Sequence, residues 1–188
     1  NLITIGARAF NNCDKLEEII IPDSVETIGN NAFYDCDGLK SFKAGSGLKT
    51  IGSYAFQYCD KLETVEINNE KLTTIGYQAF YNNDALKSVS ISGNSVTIEQ
   101  NAFYDNDALT DVEIGKGVKT IGYKAFNGCN NLKTVNISND VQTISDYAFS
   151  GCESLKKLVF KPGKTKENKF LSEYAFYGCD NIEALYLK

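Results

Sequence analysis

Eight Ala-Phe pairs recur along the sequence at almost constant spacing, and this period restricts the possible fold more than any other feature. Successive Phe residues are 23 or 24 residues apart until the last interval, which is 27 residues. A fixed period of about 20–50 residues indicates stacked structural units, because one unit alone cannot bury its apolar side chains. The eight residues are Phe10, Phe33, Phe56, Phe80, Phe103, Phe126, Phe149 and Phe176.

Each repeat carries further apolar residues at fixed distances from its Phe. Ile or Leu stands five residues before it and six after it, and two mainly apolar residues stand nine and eleven after it. The last two alternate with polar residues, as in Val135-Asn136-Ile137, which predicts a short strand with one buried face. The segment around the Phe shows no alternation, and we interpret it as one or two turns of α- or 3₁₀-helix. The sequence therefore predicts an α/β repeat solenoid with a parallel β-sheet on one face and short helical rungs on the other.

The unbroken period predicts one domain over residues 1–188, built from eight repeats of about 23 residues. Neither end has the polar cap that solenoids need, so we expect this domain to be a fragment of a longer protein. Residues 161–169 interrupt the pattern; they are rich in Lys, contain Pro-Gly and predict a protruding loop. Insertion into a membrane is not expected, because no apolar run approaches about 18 residues.

Composition excludes several kinds of chemistry. The chain contains no His, so a His-based catalytic triad or metal centre is excluded. The net charge is −5 without a basic patch, so we expect no binding to nucleic acid. Phosphate-binding and nucleophile-elbow motifs are absent, and we expect neither enzymatic activity nor a cofactor. An enzyme that processes carbohydrate through strand carboxylates remains a remote alternative.

Two columns of side chains follow the Phe. Cysteines stand three residues after it in six repeats, and Asn83 and Asn106 take that place in the other two. We favour buried free thiols that hydrogen-bond exposed backbone, with a disulfide or a metal as alternatives. Acidic residues stand next to them in most repeats, and we favour capped turns over a calcium site. The cysteines are Cys13, Cys36, Cys59, Cys129, Cys152 and Cys179.

Tyrosines cluster within three residues of the Phe in most repeats. We favour rings that pack over the edge of each repeat, and the alternative is a recognition surface, since Tyr combines contact area with a polar tip.

The outward strand positions lie eight, ten and twelve residues after each Phe and should form one continuous sheet face. A broad, polar and shallow face suits a protein or a glycan better than a small apolar ligand, although it could also be only a solvated surface. The candidate ligand-binding residues on it are Glu18, Lys43, Thr64, Glu66, Ser88, Ser90, Asp111, Glu113, Thr134, Asn136 and Lys157.

The repeated pattern I-G-x-x-A-F-x-x-C-x-x-L-x-x-V-x-I resembles the BspA-type leucine-rich repeat over residues 2–187. The resemblance implies a right-handed leucine-rich-repeat solenoid of a class common in bacterial surface proteins. It also implies an extracellular or cell-surface adhesion module that binds a protein or glycan, including host-derived ones, and we expect it to be monomeric. A structural spacer that holds another domain away from the cell surface is the alternative.

Overall fold

The computed structural model describes residues 1–161 and 170–187, and within them the chain winds through two parallel sheets of eight short strands each. The main sheet contains the even-numbered strands and the minor sheet the odd-numbered strands. No helix in the described ranges has the length and hydropathy of a transmembrane span. The main-sheet strands are β2 (Glu18–Ile20), β4 (Ser41–Lys43), β6 (Thr64–Asn68), β8 (Ser88–Ser92), β10 (Asp111–Ile114), β12 (Thr134–Ile137), β14 (Lys157–Phe160) and β16 (Ala184–Leu187). The minor-sheet strands are β1 (Thr4–Ile5), β3 (Thr27–Ile28), β5 (Thr50–Ile51), β7 (Thr74–Ile75), β9 (Val96–Ile98), β11 (Val118–Ile121), β13 (Thr143–Ile144) and β15 (Phe170–Leu171).

The main sheet confirms the prediction of a parallel solenoid. Equivalent residues of successive repeats lie side by side, so Val112 pairs with Val89 on one side and Val135 on the other. In β6, Val65 and Ile67 are buried while the residues between and beside them are exposed, as the alternation predicts. The right-handed sense of the coil stays a prediction.

The minor sheet was not predicted. It is built from the residues six and five positions before each Phe, which are Thr-Ile in seven repeats and Phe170-Leu171 in the eighth, and most of its strands contain only two residues. Thr50 pairs with Thr74 and Ile51 with Ile75, and both isoleucines are fully buried. The minor sheet therefore provides a second apolar wall for the core.

The Phe column fills the space between the sheets and the turns. Neighbouring rings stack with centroids 5.0 to 5.2 Å apart, and Phe103 and Phe126 are 1° from parallel. Six of these rings are fully buried, and so are the alanines that precede them. A larger side chain in place of Ala would push adjacent repeats apart, since protein interiors are close-packed. The buried rings are Phe33, Phe56, Phe80, Phe103, Phe126 and Phe149.

The prediction of helical rungs was wrong: the described residues contain no helix, and the segment around each Phe forms successive turns, here called the turn face. In the first seven repeats backbone φ is positive two residues before and two residues after the Phe, as at Tyr54 (60°) and Tyr58 (59°). Left-handed residues cannot continue a right-handed helix, so the N–H groups turn towards the next repeat. Phe56 N–H donates to Ala79 O at 2.7 Å, and Phe80 N–H donates to the following repeat at the same distance.

The predicted Lys-rich loop cannot be compared with the structure over its whole length. Lys161 is described and exposed, but residues 162–169 lie outside the described residues.

Candidate ligand-binding face of the main sheet

The strand register brings the predicted site residues together in straight rows on the outer face of the main sheet, here called the sheet face. Glu66, Ser90 and Glu113 are direct neighbours in one row. Parallel strands are about 4.8 Å apart, so the two glutamates lie about 10 Å apart with the serine between them. The adjacent row contains Thr64, Ser88, Asp111, Thr134 and Lys157.

A shallow depression of about 360 Å³ lies over β6, β8 and β10, at the middle of the sheet face. Two of the predicted residues, Glu18 and Lys43, lie outside it on β2 and β4, and Thr134 and Lys157 lie beyond it on β12 and β14. The depression includes the predicted residues Thr64, Glu66, Ser88, Ser90, Asp111, Glu113 and Asn136.

A hydrogen-bond network fixes the side chains on one side of this depression. Asn68 Nδ2 donates to Glu66 Oε1 and to Ser90 Oγ, each at 3.2 Å. Ser92 Oγ donates to Asn68 Oδ1 at 3.0 Å. Asn68 and Ser92 were missed as candidate site residues, although both occupy the outward position twelve residues after a Phe. Because the network holds these groups before any ligand arrives, less side-chain freedom is lost on binding.

An ion pair crosses the sheet face from the residue that follows β14. Lys161 Nζ pairs with Glu113 Oε1, although the two residues are 48 positions apart and β12 lies between them. The carboxylates of Glu66 and Asp111 lie at the centre of the face, while Lys157 lies towards its C-terminal edge, 6.0 Å from the ring centroid of Tyr186. The face therefore presents an acidic middle and a basic edge.

The acidic column beside the cysteines is a set of turn residues. Asn130 Nδ2 donates to Asp107 Oδ1 at 3.0 Å, which links two successive repeats. Burial raises the pKa of Asp60, and the carboxylates of Asp84 and Asp37 add to that rise. In the described part of the chain, no group of three or more His, Cys, Asp or Glu side chains is placed to hold a metal ion. The calcium alternative thus gains no support from this geometry.

The cysteine column confirms the prediction of free thiols that bond to backbone. All six cysteines are free. Cys129 Sγ donates to the carbonyl oxygen of Phe103 at 3.3 Å, and Asn106 Nδ2 makes the equivalent bond to Phe80 at 2.9 Å. Burial raises the pKa of Cys36 to about 11 and that of Cys129 to about 12. These thiols connect one repeat to the preceding one and stay protonated at neutral pH.

The tyrosines stack along the turn face, in agreement with the favoured interpretation. Tyr81 and Tyr104 are parallel with centroids 5.3 Å apart, and Tyr54 and Tyr77 meet edge to face at the same distance. These rings are half-buried, whereas Tyr177 is 63% exposed.

Two sheets that repeat in register with a stacked Phe column define a leucine-rich-repeat solenoid. The sequence matches the model of the BspA type leucine rich repeat region, with six copies, over residues 3–132 and 96–188. The chain belongs to the BspA-type leucine-rich-repeat family. A search of curated protein sequences gives no significant match.

Crystal structures of several bacterial leucine-rich-repeat proteins are similar to the chain. The leucine-rich-repeat protein TpLRR of T. pallidum is 30% identical with a TM-score of 0.70, and the match covers 81% of this chain and 71% of TpLRR. The pneumococcal vaccine antigen PcpA is 26% identical with a TM-score of 0.66, and the match covers 93% of this chain. A Bacteroides ovatus leucine-rich-repeat protein, 23% identical with a TM-score of 0.64 and 98% of this chain covered, shows the fold alone. The chain spans 52% of the PcpA structure and 58% of the B. ovatus structure.

Proposed function

We propose that the chain is a non-enzymatic adhesion module of an extracellular or cell-surface protein, and that its sheet face binds another protein. The observation that carries the proposal is the row of fixed polar side chains across β6, β8 and β10, where Asn68 holds Glu66 and Ser90 in place.

The shape of the sheet face supports a protein ligand. Eight strands about 4.8 Å apart give a continuous surface roughly 35 Å long, which is the scale of a protein interface and exceeds a small-molecule pocket. Its acidic middle and basic edge would be complementary to a partner with the opposite arrangement of charge, and such complementarity fixes the orientation of a bound partner. Membership of the BspA-type family and likeness to a vaccine antigen support exposure at the cell surface.

A matched pair of fourfold variants tests the proposal. The face variant replaces Lys43, Glu66, Glu113 and Lys157 with Ala. The control variant replaces Glu17, Lys40, Glu63 and Lys87 with Ala; these residues form two exposed ion pairs beside the strands. Each variant removes two positive and two negative charges, so both keep the net charge of the native chain.

Binding is measured by surface plasmon resonance to a panel of extracellular-matrix proteins, and to whole host and bacterial cells by flow cytometry. We expect the face variant to lose about tenfold or more in affinity and the control variant to keep it, since interface energy concentrates at the centre of a contact. Equal binding by native chain and face variant would support a spacer. Binding to immobilised glycans alone, or to none of these surfaces, contradicts the proposal.

A further inference from the structure

The turn face carries a second depression that belongs neither to the sheet face nor to the core. It has a volume of about 310 Å³ and lies between the seventh and eighth repeats. We call it the glycine notch, because backbone at Gly151 and Gly178 lines it together with Tyr177, Glu153, Asp180 and Asn181. We propose that the glycine notch binds one uncharged sugar ring, such as a hexopyranose.

A change of residue type creates the notch. Two residues after the Phe, the first five repeats carry a side chain, whereas the last three carry Gly128, Gly151 and Gly178. The backbone is left-handed in both cases, with a φ of 52° at Asn82 in the fourth repeat and 75° at Gly178. A Cβ atom at Gly178 would lie 3.6 Å from the nitrogen of Gly151, which is ordinary van der Waals contact. The space is therefore open because the side chain is missing and not because the backbone moves away.

One wall of the notch is an exposed aromatic ring. Tyr177 is 63% exposed, and Tyr147 and Tyr174 hold it edge to face with centroids 6.2 Å away in each case. Tyr147 and Tyr174 are themselves stacked, so the three rings are in mutual contact. A flat ring with a polar hydroxyl is suited to a ligand with one apolar face and a polar edge. A pyranose has that character, since its axial C–H groups form an apolar face and its hydroxyls form the rim.

The other walls provide hydrogen-bond acceptors. Glu153 and Asp180 line the notch, and sugar hydroxyls can donate to carboxylates in charge-assisted hydrogen bonds. Asn181 Nδ2 donates to the carbonyl oxygen of Glu153 at 2.8 Å, and Gly151 N–H donates to Tyr177 O at 2.9 Å. These bonds tie together the seventh and eighth repeats, which both line the notch.

Size and charge select the class of ligand. The volume lies at the lower end of the range of about 300–1,000 Å³ that is typical of ligand sites, so one ring fits better than a long chain. Two carboxylates repel anions, which disfavours phosphorylated and sulfated sugars. Lys124 Nζ approaches the rings of Tyr123 and Tyr147, at 5.4 and 5.9 Å from their centroids, and it does not line the notch.

An NMR titration tests the proposal on the whole chain. Glucose, galactose, mannose and N-acetylglucosamine are added separately up to about 100 mM, well above the millimolar Kd expected for a single ring. With at least one of them we expect saturable shifts of the backbone amide signals of Gly151 and Gly178. Tyr177→Ala and Gly178→Asn should each weaken this binding by about tenfold or more, the first by removing the platform and the second by filling the notch.

The controls separate loss of the site from loss of the fold. Asn12 and Asn82 occupy the equivalent position with positive φ, so Gly178→Asn should fold normally and show an unchanged thermal midpoint. Tyr123→Ala removes another exposed tyrosine of the turn face, outside the notch, and should bind sugar like the native chain. The fourfold face variant should also bind sugar normally, so failure of the adhesion proposal leaves this one standing.

Three results would overturn the assignment. They are the absence of saturable shifts with all four sugars, equal shifts in Gly178→Asn, and saturable shifts with arginine amide in place of the sugars. The last result would identify a site for cationic side chains, which aromatic rings and carboxylates also attract.

Discussion

The cysteine column shows how a single side chain joins two repeats. Cys129 Sγ donates to Phe103 O, and this carbonyl is buried in the core beside the Phe stack. A buried carbonyl that loses its donor costs free energy, because water cannot replace the lost bond. An Asn can fill the same position, as Asn106 does with its Nδ2 atom, so the position requires a donor and not a particular residue type.

Replacing the donor by an apolar group of similar size should therefore destabilise the fold. We expect Cys129→Val to lower the free energy of unfolding by about 1–3 kcal/mol in urea denaturation. Cys13→Val is the matched control: this thiol is half-buried and makes no hydrogen bond within the described residues, so its loss should cost less than about 0.5 kcal/mol. Equal losses in the two variants would show that the thiol hydrogen bond contributes nothing.

Asp105 gives a prediction for the dependence of stability on pH. Burial raises the pKa of this carboxyl, and the nearby carboxylate of Asp107 raises it further. The protonated form of Asp105 is therefore favoured in the folded chain. The stability that this form contributes is fully present below the unfolded pKa of about 3.9, and it is lost as the pH rises through the folded pKa. At pH 7 the charged group therefore destabilises the fold.

Asp105→Asn should raise the free energy of unfolding at neutral pH by about 0.5 kcal/mol after solvent screening. The gain should disappear near pH 3, where the native carboxyl is neutral as well. Asn is compatible with the positive φ of 56° at this position, as Asn82 shows with 52°. Urea denaturation at both pH values gives the measurement, and a gain of the same size at both would contradict a pKa effect.

At the scale of the elements, the sequence predicts a strand only where the strand is long enough for apolar and polar residues to alternate visibly. Main-sheet strands such as β6 were predictable, because five residues are enough for alternation to show. The minor sheet was not, because alternation cannot be seen in two residues such as Thr50 and Ile51. The only available signal was the recurrence of Thr-Ile pairs in the same place of successive repeats.

The turn face was misinterpreted for a different reason. Left-handed φ angles occur at Arg8, Tyr54, Gln78 and Lys124, residue types that rarely adopt them. Stacking on the neighbouring repeat imposes this conformation, and local propensity gives no sign of it. The sheet face was predictable by counting from each Phe, but the pair of Lys161 with Glu113 was not, because it depends on a side chain that crosses a strand.

Gln78 provides the test of the turn face. Its φ is 52°, and a β-branched residue in this region suffers steric strain. We expect Gln78→Val to lower the free energy of unfolding by about 1–2 kcal/mol. Gln78→Asn should be neutral or stabilising, because Asn tolerates left-handed φ. Urea midpoints decide between them; if both variants unfold at the same concentration, positive φ at this position has no energetic consequence.

At the scale of the whole molecule, each strand pairs only with its neighbours in the stack. The stability of such a chain is approximately a sum of repeat and nearest-neighbour terms. Whole repeats should therefore be removable, whereas parts of a repeat should not.

Deletion of residues 104–126 removes one repeat of 23 residues and one strand from each sheet, and it brings β8 beside β12 and β9 beside β13. We expect this shortened chain to fold cooperatively, with strand content in circular dichroism and a lower urea midpoint. Deletion of residues 104–115 removes 12 residues, so every later strand loses its register. That chain should aggregate or lose its cooperative transition. Cooperative unfolding of both chains would argue against independent stacking units.

The backbone hydrogen bonds that the stacked Phe residues donate have one further consequence, because each runs to the following repeat. The peptide group between Ala79 and Phe80 accepts through its C=O from Phe56 N–H and donates through its N–H to Ala102 O. Equivalent peptide groups repeat this from the first repeat to the last, so their dipoles add along this column as they do in an α-helix. Beside the two sheets the bonds run the other way: Gly52 N–H donates back to Ile28 O, and Lys40 N–H donates back to Glu17 O. The solenoid therefore contains antiparallel columns of dipoles that largely cancel over the whole molecule, and a charge would sense the polarity of one column only near the end of that column.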